Sequence, residues 1–241
     1  MSRRAAELLD HLYRHGIAFE GQRVVDLGTG TGALARLCAR AGAVVTGVDP
    51  AAPMLEQAAA LDRDAGVTVE YRVAAAESTG LPAGAFDVVT AGQCWHWFDP
   101  ARATAEVRRL LRPGGRIVIA HFDWLPLPGN VVEATEELIR AANPDWHLGG
   151  GTGLHPRWLT DLRIAGFTGI ETLSFDLDVP YPPQDWRGRI RASAGVGASL
   201  PPADVDRFDH ALATVLTDRF PGPVLTVPHR AWAVVATSPA A

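Results

Sequence analysis

The stretch VVDLGTGTG, from Val24 to Gly32, decides the fold class of this chain. It begins as an apolar run, which is typical of a strand buried on both faces, and it ends in glycines that alternate with threonines. Glycines at a strand-to-helix junction let the backbone approach a ligand closely. An ordinary tight turn needs only one glycine, so Gly28, Gly30 and Gly32 together predict a ligand-binding loop.

Strands and helices alternate on both sides of this loop. The predicted strands up to residue 122 are Arg23–Leu27, Ala43–Val48, Val67–Val73, Phe86–Thr90 and Arg116–Phe122. The predicted helices between them run from about Gly32 to Arg40, from near Pro53, and from Asp99-Pro100 to the stop at Pro113-Gly114-Gly115. This alternation predicts an α/β fold with a doubly wound, mostly parallel sheet and right-handed crossovers.

After Phe122 the rhythm changes, which predicts a helical cap added to the sheet. The elements expected there are helices at Val131–Ala142, Pro156–Ala165, 183–194 and 202–218, and strands at Glu171–Asp178 and Ala231–Thr237. No internal repeat or low-complexity linker interrupts the chain. We therefore expect a single domain over residues 1–241, with cap or substrate elements at about 123–156 and 180–220.

Composition restricts the classes of function. The chain has 241 residues, 47% hydrophobic and 20% charged, with a net charge of -5, which disfavours nucleic acid as a partner. The first twenty residues carry several charges and no window is apolar enough for a membrane span, so no leader and no membrane partner are expected. Two isolated cysteines favour a reducing cytoplasm. The 22 basic residues include no lysine, which indicates a GC-rich bacterial genome.

Two acids accompany the glycine loop. Asp49 ends the second strand, 21 residues after Gly28, where an acid can bind ribose hydroxyls. The pattern Gly28-x-Gly30-x-x-Ala33 also satisfies the permissive dinucleotide fingerprint, so a NAD-dependent oxidoreductase is one alternative. Asp26 favours another ligand, because its carboxylate would repel a pyrophosphate but would help to hold the methionine ammonium of S-adenosylmethionine. A purely structural role of Asp26 in the loop stays open.

Four segments together resemble the ordered motifs of class I S-adenosylmethionine-dependent methyltransferases. They are VVDLGTGTG, VTGVDP, FDVVTAGQCWHWFD and LLRPGGRIVIAHF, and they lie within residues 22–122. The WHWFD element resembles the small-molecule branch that includes trans-aconitate methyltransferase-like proteins. The resemblance implies a Rossmann-like seven-stranded sheet of order 3-2-1-4-5-7-6 and S-adenosyl-L-methionine as the cofactor.

The resemblance also implies the cofactor-binding residues. Asp26, Gly28, Thr29 and Gly30 would surround the methionine part, and Asp49 would bind the ribose. Ala75 stands where an acid against adenine is frequent, so that contact passes to the Ala76 backbone or to Glu77. The full set of expected cofactor residues also includes Pro50, Met54, Gln93 and Trp95. Tyr13 and His15 are the candidates for covering the donor from the N-terminal side.

The loops after the fourth and fifth strands are the places where catalytic groups are expected. His96 is the first candidate for a general base, because an imidazole titrates near neutral pH. His121 and Asp123 are further catalytic candidates, although a packing role for either histidine and catalysis by proximity alone both stay open. Aromatic faces attract a sulfonium cation and shape an apolar pocket, which applies to Trp97 and Trp124.

The cap carries further candidates for the substrate pocket. His147 lies beside Gly149-Gly150-Gly151, a run that predicts the hinge of a mobile lid. Arg187 and Arg191 share a helix face and could receive a substrate carboxylate, although such a pair is more often solvated. The eight histidines show no metal-ligand spacing, so no metal is expected.

The leading hypothesis is methyl transfer to a small-molecule acceptor by in-line displacement. The alternatives are the oxidoreductase, the same fold using S-adenosylmethionine for non-methyl chemistry, and a non-catalytic regulatory module that binds S-adenosylmethionine. A monomer or a homodimer is expected. Whether oxygen, nitrogen or carbon accepts the methyl group is open at this point.

Overall fold

A computed structural model describes residues 3–14, 17 and 19–239 of the chain. The candidate His15 lies outside these residues, whereas Tyr13 lies exposed on the first helix. Among the described residues, seven strands form one sheet in the order β3-β2-β1-β4-β5-β7-β6. The predicted strand order is confirmed.

The strands have the following bounds: β1 Arg23–Leu27, β2 Val44–Asp49, β3 Glu70–Val73, β4 Phe86–Gly92, β5 Leu111–Trp124, β6 Thr168–Tyr181 and β7 Leu225–Thr237. Strand β1 lies between β2 and β4 and is parallel to both, with Val25 opposite Thr46 on one side and Val89 on the other. Buried apolar side chains on both faces of β1 explain its central place, since a parallel strand is covered on both sides.

The helices are α1 Arg3–Arg14, α2 Ala33–Arg40, α3 Ala52–Ala65, α4 Pro100–Leu110, α5 Val131–Ala142, α6 Pro156–Ile164, α7 Pro183–Arg191 and α8 Pro202–Arg219. Helix α4 begins as its sequence predicts, because the Asp99 side chain accepts a hydrogen bond from the Arg102 N–H at 3.0 Å and Pro100 follows it. Asn130 caps α5 in the same way, accepting from the Glu133 N–H at 2.9 Å.

The chain divides into two compact units. The first comprises residues 1–121, 155–174 and 232–241, and the second comprises residues 122–154 and 175–231. The core of the first unit includes Val25, Leu27, Val89 and Ile117, and that of the second includes Trp186. Much of the predicted cap falls in the second unit. A single domain for the whole chain stays a prediction.

Several elements differ from the sequence-based expectation, four of them by the most. Helix α1 was not expected. Strand β5 starts at Leu111 rather than Arg116: Leu111 pairs with Phe86 and Arg116 with Val88, so the intervening Pro-Gly-Gly segment bulges out of the ladder. Strands β6 and β7 are longer than expected. Strand β6 is an edge strand, where the missing N–H of Pro180 is tolerated.

Across the described residues, no helix has both the length and the apolar character that crossing a membrane requires.

Candidate active site

The carboxyl ends of β1, β2 and β4 meet at one edge of the sheet. The order of the strands along the chain reverses between β1 and β4, and doubly wound folds bind ligands in the crevice at such a point. The glycine loop leaves β1 there, and Asp49 is the last residue of β2. The site therefore forms from strand ends whose positions the sheet register fixes.

The glycine loop needs glycine for two different reasons. Gly28 and Gly30 both have left-handed backbones, with φ of 61° and 54°. A Cβ on Gly28 would lie 2.8 Å from the Cβ of Cys94, closer than side chains pack. A Cβ on Gly30 would meet nothing within 4 Å. Gly28 is thus fixed by protein packing, whereas Gly30 faces open space in which a ligand could lie.

Asp49 holds this loop from the end of β2. Its Oδ2 accepts a hydrogen bond from the Gly30 N–H and its Oδ1 accepts one from the Ala51 N–H, both at 2.9 Å. The side chain is nevertheless not completely buried. A carboxylate has about four acceptor positions, so Asp49 keeps capacity for hydroxyl donors of a ligand.

Asp26 holds the loop from within β1. Its carboxylate accepts from the hydroxyls of Thr29 and Thr90, both at 2.6 Å, and only 1% of the residue is exposed. Burial raises the pKa of Asp26 from its usual 3.8 to about 6, because desolvation outweighs the two hydroxyl hydrogen bonds. In this position Asp26 links the loop to β4. Its predicted contact with an ammonium group stays a prediction.

A third group of side chains holds the far end of the loop, and the sequence interpretation missed it. The Tyr71 hydroxyl donates to Asp62 at 2.7 Å, and Asp62 also pairs with Arg36 at 2.5 Å. Arg36 in turn donates to the Thr31 carbonyl at 3.0 Å. The Tyr71 ring covers Gly47, where a Cβ would lie 2.7 Å from it. These three residues come from α2, α3 and β3, and no motif links them.

Four further expected cofactor residues follow the carboxyl ends of β2 and β3 along the chain. Ala76 is buried, and Pro50 and Met54 are exposed. The Glu77 carboxylate accepts from the Asp99 N–H at 3.0 Å, which ties the segment after β3 to the start of α4. A ligand bound by Glu77 would therefore share the carboxylate with the Asp99 N–H at the start of α4.

A strained residue directly follows strand β4. Gln93 has φ of 63°, and no other non-glycine residue in the part of the chain that the structure describes has a positive φ. Such a backbone is uncommon outside glycine and concentrates at functional sites. Trp95 follows, 1% exposed, and its indole Nε1–H has no hydrogen-bond partner among the described residues. The positive φ of Gln93 and the unpartnered indole N–H of Trp95 therefore both cost folding free energy.

Three histidines and two tryptophans cluster in the first unit, where His96 lies just after β4 and His121 lies within β5. The rings of His96 and His121 have centroids 5.4 Å apart, and those of His121 and His155 are 4.5 Å apart. His155 stacks on Trp158 at 4.0 Å, and both contact Trp232. The sequence predicted His96 and His121 here. It missed His155, whose only local signal is its place before Pro156.

Trp97 lies beside His96, with ring centroids 4.6 Å apart, and is largely exposed. Its indole therefore lies on the solvent side of the histidine-tryptophan cluster. The exposed ring could form part of the wall for an apolar ligand, as expected of a pocket residue.

The other predicted residues belong to the second unit. Asp123 is partly buried, and His147 is exposed. The Trp124 indole donates to Glu136 at 2.9 Å, a buried acid that the sequence interpretation did not single out. Arg187 and Arg191 both bond to Asp209, which lowers the pKa of that carboxyl. A substrate carboxylate at these arginines would have to compete with Asp209.

Comparison with known proteins identifies the family of this chain. A family model described as a methyltransferase domain matches residues 25–119. The chain is 43% identical over 126 residues to an uncharacterized methyltransferase of Mycobacterium tuberculosis, which covers 49% of this chain and 50% of that protein. It thus spans about half the length of the first curated relatives it matches. It is 41% identical over 177 residues to a ubiquinone biosynthesis O-methyltransferase of Ralstonia nicotianae, covering 67% and 74% of the two chains.

The fold is also that of solved methyltransferases. The phosphoethanolamine N-methyltransferase 2 of Haemonchus contortus, solved with phosphomonomethylethanolamine and S-adenosylhomocysteine, superposes on 97% of this chain and 52% of its own. The TM-score is 0.59 and the identity 23%. These similarities select a methyltransferase over a dinucleotide oxidoreductase, which shares only the permissive glycine pattern. The chain belongs to the class I S-adenosylmethionine-dependent methyltransferases, a family of enzymes whose cofactor is S-adenosylmethionine.

Proposed function

We propose that this chain transfers the methyl group of S-adenosylmethionine to a small-molecule acceptor by in-line displacement, within the branch that includes trans-aconitate methyltransferase-like proteins. The observation that carries the proposal is the glycine loop bonded to Asp49 at the point where the strand order reverses. S-adenosylmethionine supplies a methyl carbon made electrophilic by its sulfonium. The chain has to bind that donor, exclude water and orient the acceptor.

The residues at the sheet edge suit this donor. Asp49 receives the ribose hydroxyls with its remaining acceptor capacity, and the open space at Gly30 lets the backbone approach the ligand. The backbone of Ala76 receives the adenine amino group, while Glu77 positions that segment through Asp99. Pro50, Met54 and Gln93 complete the walls.

His96 is the proposed proton acceptor. A neutral oxygen or nitrogen nucleophile loses a proton when it is methylated, and an imidazole can take that proton near neutral pH. His121 lies between His96 and His155 in the ring cluster, so we assign it a positioning role. The similarity to an O-methyltransferase supports oxygen as the acceptor atom. Roles for Asp123, Trp124, His147, Arg187 and Arg191 in binding the acceptor remain predictions.

The cofactor test is calorimetric titration of the full chain with S-adenosylmethionine, S-adenosylhomocysteine and NAD. We expect the two adenosyl ligands to bind and NAD not to bind. Asp49→Ala should weaken the binding of both adenosyl ligands by at least about tenfold, since it removes charge-assisted hydrogen bonds. Asp64→Ala on the exposed face of α3 is the matched control and should leave the affinity unchanged. Binding of NAD alone would overturn the proposal.

The reaction test is mass spectrometry of acceptor mixtures incubated with S-adenosylmethionine. A product heavier by one methylene unit supports methyl transfer, whereas a product of unchanged mass would indicate non-methyl chemistry. His96→Ala should lower kcat more than it raises KM, and His210→Ala on α8 serves as the control histidine. Tight donor binding without any product from a broad acceptor panel would favour a regulatory module. We also predict that the protein acts in the cytoplasm as a monomer or homodimer, and that nucleic acid is not its partner.

A further inference from the structure

A cleft in the second unit has the size and the lining of a small-molecule site. Its volume is about 340 Å³, near the lower end of the range of known ligand pockets. Its walls combine an apolar segment, charged side chains of α5 and backbone of the triple-glycine loop: Leu125, Pro126, Leu127, Glu133, Glu136, Arg140, Gly150, Gly151, Thr152 and Arg230. None of the site residues predicted from the sequence lines it.

Glu136 is the buried acid of this cleft. Its side chain is 1% exposed. Its Oε1 accepts from the Trp124 indole N–H at 2.9 Å, and its Oε2 accepts from the Gly150 N–H at 2.7 Å. A carboxylate has about four acceptor positions, so about half of this capacity is unused. A buried charge with unused acceptor positions favours a ligand that carries N–H donors and positive charge.

The cations around Glu136 do not neutralise the cleft. Arg140 lies 3.7 Å from Glu136, longer than a hydrogen bond, and 47% of its side chain is exposed. Arg230 makes two bonds of 2.7 and 2.8 Å to Asp176, so its charge is already balanced. Glu133 adds a second carboxylate to the lining. The lining thus has two carboxylates and two guanidiniums, and because Asp176 outside the lining already pairs with Arg230, one negative charge of the cleft is left over.

We propose that this cleft binds a small organic ammonium ion. The ammonium N–H groups donate to the free acceptor positions of Glu136, and the apolar part of the ligand packs against Leu125, Pro126 and Leu127. The ligand class follows from the residual negative charge and from the apolar wall beside it. The inference goes beyond methyl transfer and needs no cofactor, so the two can fail separately.

The triple-glycine loop supplies a direct readout of binding. Gly150 has φ of 75° and its N–H bonds to Glu136, while a Cβ on Gly149 would lie 2.6 Å from the Trp146 ring. The loop is therefore seated on the same carboxylate that receives the ligand. The backbone N–H of Gly150 and the indole N–H of Trp124 both report on the state of Glu136.

The test is a ¹H–¹⁵N NMR titration of the full chain with n-butylammonium, with n-butanol as the neutral probe of similar shape. We expect saturable shifts of the Trp124 indole and Gly150 amide signals with the ammonium ion and no saturable shift with the alcohol. Glu136→Gln should weaken ammonium binding by at least about tenfold, because it removes the counter-charge. Glu137→Gln, the next residue of α5 with a side chain 58% exposed, should leave it unchanged.

Three results would overturn the proposal: equal binding of both probes, unchanged ammonium affinity in Glu136→Gln, or no saturable shift with n-butylammonium. Far-UV circular dichroism first shows whether Glu136→Gln is folded. If it is not, Arg140→Gln decides the question, because Arg140 is exposed and repels the ligand. Removing that positive charge should tighten ammonium binding several-fold, and unchanged or weaker binding would contradict the proposal.

Discussion

The molecule holds two glycine-rich loops, and in each of them a glycine N–H donates to a carboxylate. The two loops differ in how many other contacts hold them. Gly30 of the first loop donates its N–H to Asp49 at 2.9 Å, and Gly150 of the second donates its N–H to Glu136 at 2.7 Å. In each unit a buried carboxylate thus fixes a loop that has few side chains of its own. The positions of these carboxylates differ, since Asp49 ends a strand and Glu136 lies on a helix.

The first loop is held at several points and the second at few. Asp26, Asp49 and the group of Tyr71, Asp62 and Arg36 all hold the first loop, and its three glycines have left-handed backbones. In the run from 149 to 151, only Gly150 has a positive φ. We therefore expect the first loop to be rigid and the second to open more readily, as a lid hinge requires.

The largest effect should come from Gly28→Ala. The new Cβ would lie 2.8 Å from that of Cys94, and the backbone has φ of 61°. Left-handed strain and overpacking together should lower the free energy of unfolding by about 4 kcal/mol. Denaturant unfolding with circular dichroism measures this change.

Gly30→Ala is the control for Gly28→Ala within the same loop. Its backbone is also left-handed, but its Cβ would meet no protein atom, so the cost in stability should be only about 1 kcal/mol. Affinity for S-adenosylmethionine should nevertheless fall strongly, since the methyl group would take up ligand space. Equal destabilisation by the two substitutions would mean that strain alone, and not packing against Cys94, fixes the loop.

How well the sequence predicted each element of the fold depended on whether its signal was local. The bounds of β1 and the cap of α4 at Asp99 were predicted correctly, because an apolar run ended by glycine and an Asp-Pro pair act locally. The start of β5 was not, because the pairing of Leu111 with Phe86 depends on another strand. Local signals thus predicted the type and order of the elements better than their ends.

Site residues followed the same rule. Asp26 and Asp49 could be placed beside the glycine loop from the sequence, because their positions are fixed relative to strand ends and glycines. His155 and Glu136 could not, since His155 reaches its partners only through the packing of α6, and Glu136 occupies a helix position like that of its exposed neighbour Glu137. Asp209, the counter-ion of Arg187 and Arg191, lies on another helix, so the spacing of the two arginines in the sequence does not reveal it.

An intermediate effect is expected from Asp26→Asn, and it should depend on pH. The folded state binds this proton more tightly than the unfolded state, because the pKa of Asp26 is raised from 3.8 to about 6. The stability that Asp26 contributes is therefore fully present below pH 4 and is lost as the pH rises through 6. At pH 7.5 the variant should be more stable than the wild type by about 3 kcal/mol, and near pH 4 the difference should vanish.

Thermal unfolding of both proteins from pH 4 to pH 8 measures this prediction. A stability difference that does not change with pH would show that Asp26 is ionised throughout or that Asn disturbs the Thr29 and Thr90 contacts. Titration with S-adenosylmethionine on the same samples separates the roles of Asp26. If Asp26 contacts the donor's ammonium, Asp26→Asn loses affinity at pH 7.5 even though its stability rises.

The smallest effect is expected from Gly151→Ala in the second loop. Gly151 lacks a left-handed backbone, and its Cβ would meet nothing within 4 Å, so stability should change by less than about 0.5 kcal/mol. Gly149→Ala is the matched variant, since its Cβ would lie 2.6 Å from Trp146 and should cost more. Denaturant unfolding, with hydrogen exchange at the Gly150 N–H, compares the two. If Gly151→Ala were as damaging as Gly28→Ala, the second loop would be as tightly determined as the first, and Glu136 would hold a fixed wall instead of a hinge.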